Sequence, residues 1–205
     1  MAGPTLNERQ TRLLRTILER GAENASLALS KWLDRPVRLE LGEVGLVPFE
    51  MATEALGPGE TLVAASAMPF TGRLTGQLLL VFEDQAGLAL ADILQGQPVG
   101  TTKAWGDLER SAAQETANIV GCAYLNALAT HLPGGPETIV PGPPEFRHEF
   151  AASLMEFALF DQAARADLVL LIETRFRAEP SEAGWSLLFV PSGSTLSELA
   201  TILGD

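Results

Sequence analysis

Apolar positions recur with a helical period in two long segments of the chain, residues 7–33 and residues 107–130. The first segment opens with Asn7, which can cap a helix, and Gln10 stands three residues later at the capping-box position. The second reads DLERSAAQETANIVGCAYLNALAT, and its predicted inward face consists of Ala112, Ile119, Cys122, Ala123, Leu125 and Leu128. Both segments are therefore predicted to form long helices with one apolar side.

Several shorter segments have the residue pattern of strands. Alternating residues, or continuous apolar runs typical of a covered sheet, occur at 37–41, 61–69, 76–82, 166–177 and 184–191. Segment 138–150 is predicted to be an edge or irregular strand, because Pro141, Pro143 and Pro144 interrupt it. Segment 150–164 fits either a helix or an extended chain.

Two short helices and a linker complete the predicted elements. One helix covers residues 85–94, and residues 95–104 after it have the composition of a linker. The other helix ends at Gly204, and either Ser194 or Ser197 can cap its start.

The order of long helix, strands and short helix occurs twice, and parts of the two copies match in sequence. GQLLLVF at 76–82 resembles GWSLLFV at 184–190, and LADIL at 90–94 resembles LATIL at 199–203. The long helices also match, at an offset of about one hundred residues. A duplication explains these matches, although coincidence among Leu-rich amphipathic segments would produce them too.

The predicted architecture is a single α+β domain over residues 1–205. It consists of two repeats, about 7–96 and 105–204, joined by a short linker. A pseudo-twofold duplication would combine the strands into one mixed or antiparallel sheet of about six strands. We expect the two long helices to pack on one face of this sheet, with the shorter helices around it.

Composition narrows the possible functions. Hydrophobic residues make up 46% of the chain, enough for a large core, and the net charge of −12 disfavours nucleic acid or an anionic membrane as a partner. The single cysteine, Cys122, excludes an internal disulfide and a cysteine-based metal site and fits a packing role. The N-terminal segment lacks a signal-peptide pattern, and the longest apolar run, Leu168 to Ile172, is too short to span a bilayer. We therefore expect a soluble, cytoplasmic protein.

Three polar residues of the second long helix lie on one side of it. Ser111, Glu115 and Asn118 are spaced i, i+4 and i+7, so at about 100° per residue they form one stripe. Asparagine in a helix is more often solvent-facing or locally hydrogen-bonded than catalytic, and the stripe alone does not define a function. His131 and His148 are isolated in the sequence and fit structural or surface roles.

The stripe is part of a longer pattern. Ser111, Glu115 and Asn118 read Ser-x3-Glu-x2-Asn, and 22 residues separate Asn118 from Pro141. This pattern and the surrounding ETANIVGCAYLNALA resemble the CheC/CheX/FliY family of bacterial chemotaxis phosphatases. The duplicated layout, with one complete copy of the signature, is most similar to CheC-type members.

The resemblance implies a phosphatase that hydrolyses the aspartyl-phosphate of the chemotaxis response regulator CheY. Asn118 would orient the attacking water, since a carboxamide donates and accepts hydrogen bonds at once, and glutamine has this role in GTPases. Glu115 would pair with a lysine of the regulator and fix the docking position. Ser111 would extend the contact, and Pro141 would shape the neighbouring loop.

The resemblance also bears on cofactors and further partners. The regulator is expected to carry the Mg²⁺, so the chain needs no cofactor or metal of its own. CheD, a receptor deamidase, is implied as a second candidate partner because CheC members bind it.

The first long helix lacks the signature. Arg12, Thr16 and Glu19 occupy the three positions that correspond to the stripe, and Gly42 stands where the second repeat has Pro141. The first site is therefore predicted to be degenerate, with its residues forming an ordinary solvated face.

The sequence leaves two other classes of function open. A binding module could dock on a response regulator or a CheD-like adaptor without chemistry. A hydrolase with its own metal or nucleophile is poorly supported, because the sequence contains no Gly-rich phosphate loop, no nucleophile elbow and no metal-ligand cluster.

Overall fold

The computed structural model describes residues 6–160, 168–178, 181–192 and 195–204. Its helices are α1 (Glu8–Leu33), α2 (Phe49–Ala55), α3 (Asp84–Leu94), α4 (Asp107–Ala129), α5 (Ala151–Phe160) and α6 (Thr195–Ile202). Its strands are β1 (Arg38–Pro48), β2 (Leu62–Gly72), β3 (Gly76–Glu83), β4 (Ile139–Pro141), β5 (Glu145–Phe150), β6 (Leu168–Ala178) and β7 (Ser181–Pro191).

Within the described ranges, seven strands form one antiparallel sheet. Their order is β1-β6-β7-β3-β2-β4, and β5 also pairs with β2. At the centre of the sheet Leu79 of β3 faces Leu188 of β7, and Leu80 faces Leu187. The two segments that match in sequence thus lie side by side. The central strands belong to two hairpins, β2–β3 and β6–β7. The outer strand β1 pairs with β6, and β4 and β5 pair with β2. Each outer strand therefore joins a hairpin that is distant from it in sequence.

The sheet is covered on both faces, which explains the continuous apolar sequence of its central strand β3. Leu78, Leu80 and Phe82 point into a core shared with α1 and α4, whereas Leu79 and Val81 point into a second core shared with α2 and α5. Alternate side chains of a strand face opposite sides, so both sets must be apolar. The predicted α+β fold with two long helices on one face is confirmed.

The two long helices cross closely at a glycine. A Cβ atom added at Gly21 of α1 would lie 2.8 Å from Cδ1 of Tyr124 and 3.2 Å from its Cα. Tyr124 belongs to α4 and is only 1% exposed. The missing side chain at Gly21 therefore lets α4 approach α1.

We expect Gly21→Ala to destabilise the fold by about 1 kcal/mol or more, because steric overlap outweighs the higher helix propensity of alanine. Urea unfolding of the variant measures this loss. Gly45→Ala is the control, since no atom lies within 4 Å of a Cβ at Gly45. Equal unfolding midpoints for the Gly21 variant and the wild type would show that the crossing has room to relax.

Most of the predicted elements are present, with boundaries that shift by a few residues. α1 begins as expected, because the side chain of Asn7 accepts from the backbone N–H of Gln10 and the side chain of Gln10 accepts from the backbone N–H of Asn7. Segment 150–164, which fitted either conformation, is helical over Ala151–Phe160, and its remaining residues lie outside the described ranges.

Three local features differ from the predictions. The sequence does not predict the helix Phe49–Ala55, because seven residues are too few to show a helical period. The strand predicted at 37–41 continues to Pro48, past an irregularity between Leu41 and Val44 that interrupts its alternation. Ser197 lies inside α6 and does not cap it. Ser194 and residues 166–167 lie outside the described ranges.

Among the helices of the described residues, none combines the length and the apolar character that crossing a bilayer requires.

Candidate functional site

The N-terminus of α4, the helix that carries the polar stripe, is fixed by acidic side chains. Glu109 accepts hydrogen bonds from Nε2 of Gln95 at 2.9 Å and from the backbone N–H of Gly106 at 3.0 Å. The bond from Gln95 is the main cause that lowers the pKa of Glu109. A carboxylate at this end also interacts favourably with the helix dipole.

The linker that leads into α4 is held by a buried carboxylate. Asp92 of α3 is 0% exposed, and it accepts backbone N–H bonds from Gly100, Thr101 and Thr102 at 2.7, 2.9 and 2.9 Å. Sequence reasoning missed Asp92, because one aspartate in an apolar segment gives no sign of its partners. Together with Glu109, it fixes where α4 begins.

The three residues of the stripe lie on the outer side of α4. Ser111 and Glu115 are exposed and Asn118 is half-buried, whereas Thr116 and Ala117 between them are buried. No hydrogen bond or ion pair joins the Glu115 carboxylate to another described residue. The site thus presents a carboxylate that has no partner among the described residues, with a carboxamide one turn further along the helix.

The carboxamide of Asn118 has a neighbour one turn further on. Sγ of Cys122 donates to Oδ1 of Asn118 at 3.5 Å. Burial, and then the negative charge of Glu115, raise the pKa of Cys122, so the thiol keeps the proton that it donates. The Asn118 side chain has no other hydrogen-bond partner among the described residues, so one lone pair of Oδ1 and both N–H groups remain for a ligand.

The predicted inward face of α4 is partly wrong. Ala112 and Cys122 are half-buried on the outer side, next to Glu115, and do not lie in the core, whereas Ile119 is half-buried and packs against the core. The inward side consists mainly of Ala113, Thr116, Ala117, Val120, Gly121, Tyr124, Leu125 and Leu128. Because α4 contains many small residues, its sequence does not reveal which side packs on the sheet.

Pro141 lies in the edge strand β4, opposite Phe70 of β2. The chain after it is held from two sides. The N–H of Gly142 donates to the carbonyl of Pro69 at 2.7 Å, and Nε2 of Gln114 donates to the carbonyl of Pro144 at 2.8 Å. Gln114 directly precedes Glu115 and was not among the predicted site residues. It ties the proline-containing segment to α4.

The corresponding residues of α1 are engaged with other residues of the same helix. Glu19 pairs with Arg15 at 3.2 Å, and Arg12 pairs with a carboxylate one turn earlier at 3.5 Å. The hydroxyl of Thr16 donates to the carbonyl of Arg12 at 3.1 Å, and Arg15 also donates to the carbonyl of Gly42 at 3.2 Å. Unlike Glu115, Glu19 therefore already has a cation beside it.

Each of the two histidines contacts a nearby polar group. Nε2 of His148 lies 2.8 Å from Oδ1 of Asp84, which also accepts from Nε1 of Trp105 at 2.7 Å. Nδ1 of His131 lies 3.0 Å from the carbonyl of Ala127 in its own helix. Within the part of the chain that the structure describes, no three His, Cys, Asp or Glu side chains are grouped to hold a metal ion.

Comparison with known proteins finds one similar sequence and several structures of the same fold. No family model matches the chain. In sequence it is 22% identical, over 205 residues, to the CheY-P phosphatase CheC of Bacillus subtilis (strain 168), with 97% of this chain and 96% of that protein covered.

Three solved structures share the fold. FliY of Thermotoga maritima has a TM-score of 0.77 at 16% identity and covers 98% of both chains. The middle domain of FliM from H. pylori has a TM-score of 0.70 at 14% identity, covering 97% of this chain and 99% of that one. The CheX-CheY-BeF3-Mg²⁺ complex of Borrelia burgdorferi contains a chain with a TM-score of 0.53 at 14% identity, covering 86% of this chain and 98% of that one.

Proposed function

The chain is related to CheC in sequence and shares the fold of FliY and CheX, and on that premise we propose that it dephosphorylates the aspartyl-phosphate of a CheY-type response regulator. One observation carries the proposal. Glu115 and Asn118 lie one turn apart on the outer side of α4, and the carboxylate lacks a partner among the described residues. A pair on the outer side of a helix suits a protein substrate that brings its reactive group to the helix.

The proposed reaction is the attack of water on the phosphorus of the aspartyl-phosphate. The bond between phosphorus and the aspartate oxygen breaks, which releases inorganic phosphate and regenerates the carboxylate. An acyl phosphate is already reactive and a Mg²⁺ bound by the regulator would neutralise its charge, so the main requirement is an oriented water. Asn118 meets it, because its carboxamide can accept from the water and donate to it.

Cys122 helps to orient that carboxamide. Its thiol occupies one lone pair of Oδ1 of Asn118, which restricts rotation of the side chain. Gln114 holds the segment Pro141–Pro144 beside the same helix. Both contacts make the site more rigid before the regulator arrives.

Glu115 is proposed to dock the regulator by pairing with one of its lysines. We expect Glu115→Gln to raise the KM for the phosphorylated regulator about tenfold and to change kcat much less, since a charge-assisted bond is lost. The wild-type KM should also rise with salt more steeply than that of the variant.

Steady-state phosphate release at several salt concentrations measures both effects. Glu19→Gln, which alters an exposed carboxylate at the equivalent region of α1, is the control and should behave like the wild type. A Glu115→Gln variant with unchanged KM and unchanged salt dependence would remove Glu115 from the docking contact.

The second candidate is a binding module that docks on a regulator, or on CheD, without chemistry. The similarity to the middle domain of FliM supports this second candidate, because the same fold also occurs in a protein that is not named a phosphatase. Binding of a regulator without accelerated phosphate release would support the module over the phosphatase.

A further inference from the structure

β1 lies at one end of the sheet, so one of its two edges has no neighbouring strand among the described residues. Along the first half of this free edge, α1 supplies the missing hydrogen bonds. The hydroxyl of Ser30 accepts from the backbone N–H of Val37 at 2.8 Å. The hydroxyl of Ser26 accepts from the backbone N–H of Leu39, also at 2.8 Å. The helix thus satisfies the edge up to the irregularity that follows Leu41.

The second half of the edge has no such cover. Because the N–H of Leu39 points to α1, the even-numbered residues of β6, such as the one opposite Leu39, form the pairs of the ladder that exchange no hydrogen bonds. Val44 and Leu46 also lie opposite even-numbered residues of β6. Their backbone N–H and C=O groups therefore point outward, and no hydrogen bond from another described residue reaches them.

An apolar groove of about 300 Å³ runs beside this part of the edge. Its apolar walls come from the start of the described chain, α1 and the ends of β1 and β6, namely Leu6, Leu14, Val44, Leu46, Leu168 and Leu170. Gly45 also lines the groove, and a Cβ added there would meet no atom within 4 Å. Unpaired strand groups beside apolar surface are the two features to which an added strand binds.

We propose that residues 44–46 of β1 form the interface at which two copies of the chain join their sheets. An antiparallel copy, related by a twofold axis beside Gly45, places Val44 of each chain opposite Leu46 of the other. Both pairs can exchange two backbone hydrogen bonds, because all four residues present their groups outward. The two Gly45 residues face each other in the closely spaced position, with Cα atoms about 4.5 Å apart. The apolar grooves of the two copies meet along the same line.

Charged side chains of α1 complement each other in this arrangement. Glu8, Arg12 and Arg15 lie on one stripe of the helix. Arg15 donates to the carbonyl of Gly42 on β1 at 3.2 Å, so this stripe overlooks the free edge. The exposed ion pair of Glu8 and Arg12 follows toward the N-terminus of α1, nearer the proposed axis. The axis reverses the order of this pair in the second copy, which brings each carboxylate toward a guanidinium of the other chain.

The net charge of −12 does not oppose this contact strongly, because the acidic residues are concentrated elsewhere. Residues 1–38 contain seven of the 14 Lys and Arg residues and only four of the 26 Asp and Glu residues. α1 belongs to this segment and contacts β1, whereas α4 contacts β2 and β3. The proposed dimer therefore leaves the outer side of α4 free, and the inference does not depend on the proposed function.

Sedimentation velocity of the full chain over a range of concentrations tests the interface. The wild type should shift with concentration from the monomer mass of 21.8 kDa toward twice that mass. Gly45→Glu should raise the Kd of the dimer about tenfold or more, because two like charges stand directly opposite each other. Val99→Glu adds the same charge in the linker before α4, where Val99 is 53% exposed, and should dimerise like the wild type. Circular dichroism checks that each variant is folded.

A pair of opposite charges makes the test specific for the twofold axis. Gly45→Lys alone should also dimerise more weakly, whereas an equimolar mixture of Gly45→Glu and Gly45→Lys should associate more tightly than either variant, since opposite charges then face each other. The proposal is overturned if the wild type keeps the monomer mass at every concentration, or if Gly45→Glu dimerises as tightly as Val99→Glu. A mixture that associates no better than its components also overturns it.

Discussion

Asn118→Ala is expected to slow phosphate release from the phosphorylated regulator by about a hundredfold or more, while the affinity for the regulator stays within a few-fold. The loss follows from the role of the carboxamide, since a water that is no longer held in line attacks only rarely. Docking should survive, because Glu115 and the other exposed side chains of α4 are unchanged. Single-turnover phosphate release and binding to the BeF3⁻-loaded regulator measure the two quantities separately.

Asn126→Ala is the matched control for this experiment. Asn126 is an exposed asparagine of the same helix, two turns beyond Asn118. Its substitution should leave both release and binding unchanged. Release by the Asn118 variant at the wild-type rate would contradict the assignment of the water-orienting role.

Asp92→Ala is expected to destabilise the fold by about 3 kcal/mol, because three backbone N–H groups lose a charged acceptor in a buried place. Those groups belong to Gly100, Thr101 and Thr102 in the linker before α4. Chemical unfolding at neutral pH measures the loss. Asp107→Ala, at an exposed position in the first turn of α4, should have little effect.

The same carboxylate should make stability depend on pH. Burial raises the pKa of Asp92, but the hydrogen bonds from Thr102, Gly100 and Thr101 outweigh burial and lower the pKa below its ordinary value. A group with a lowered pKa in the folded state stabilises above its unfolded pKa, and the stabilisation is lost as pH falls through the folded pKa.

The free energy of unfolding should therefore fall more steeply below about pH 4 in the wild type than in Asp92→Ala. Comparing the two proteins removes the contribution of the other carboxylates. Parallel curves for wild type and variant would show that Asp92 is not the source of the pH dependence.

Much of the fold follows from local patterns. The capping box of Asn7 and Gln10 places the start of α1, and the apolar run of β3 indicates a strand covered on both faces. The similarity between residues 76–82 and 184–190 predicts a pseudo-twofold arrangement, and in the structure these two segments pair at the centre of the sheet. The resemblance to the CheC/CheX/FliY family is confirmed by sequence similarity to CheC and by fold similarity to FliY. The exact division into two repeats stays a prediction.

The rotation of α4 and the partners of buried polar groups were not predictable from the sequence, because both depend on contacts between distant residues. The rotation of α4 is set by close packing at Gly121, where a Cβ would overlap Met68, and at Tyr124, which contacts Gly21. A helix rich in small residues has no strong apolar side, so its sequence also places Ala112 and Cys122 inward although both lie beside Glu115. The partners of buried polar groups are equally hidden, as the linker bonds of Asp92 show.

The candidate site was accessible to sequence reasoning only in part. The helical period places Ser111, Glu115 and Asn118 on one side, and the structure confirms that this side faces outward. Their chemical roles stay predictions that rest on the resemblance. Cys122 and Gln114 were missed as site residues, because the sequence pattern marks neither the thiol bond to Asn118 nor the amide bond to the chain after Pro141.

The central claim is tested most directly by the decay of a phosphorylated CheY-type regulator, followed with and without the purified chain in the presence of Mg²⁺. The account predicts that the wild-type chain accelerates loss of the phosphoryl group, that Asn118→Ala abolishes the acceleration, and that Asn126→Ala preserves it. If the regulator encoded with this protein binds the chain but decays at its own rate, the phosphatase assignment is contradicted.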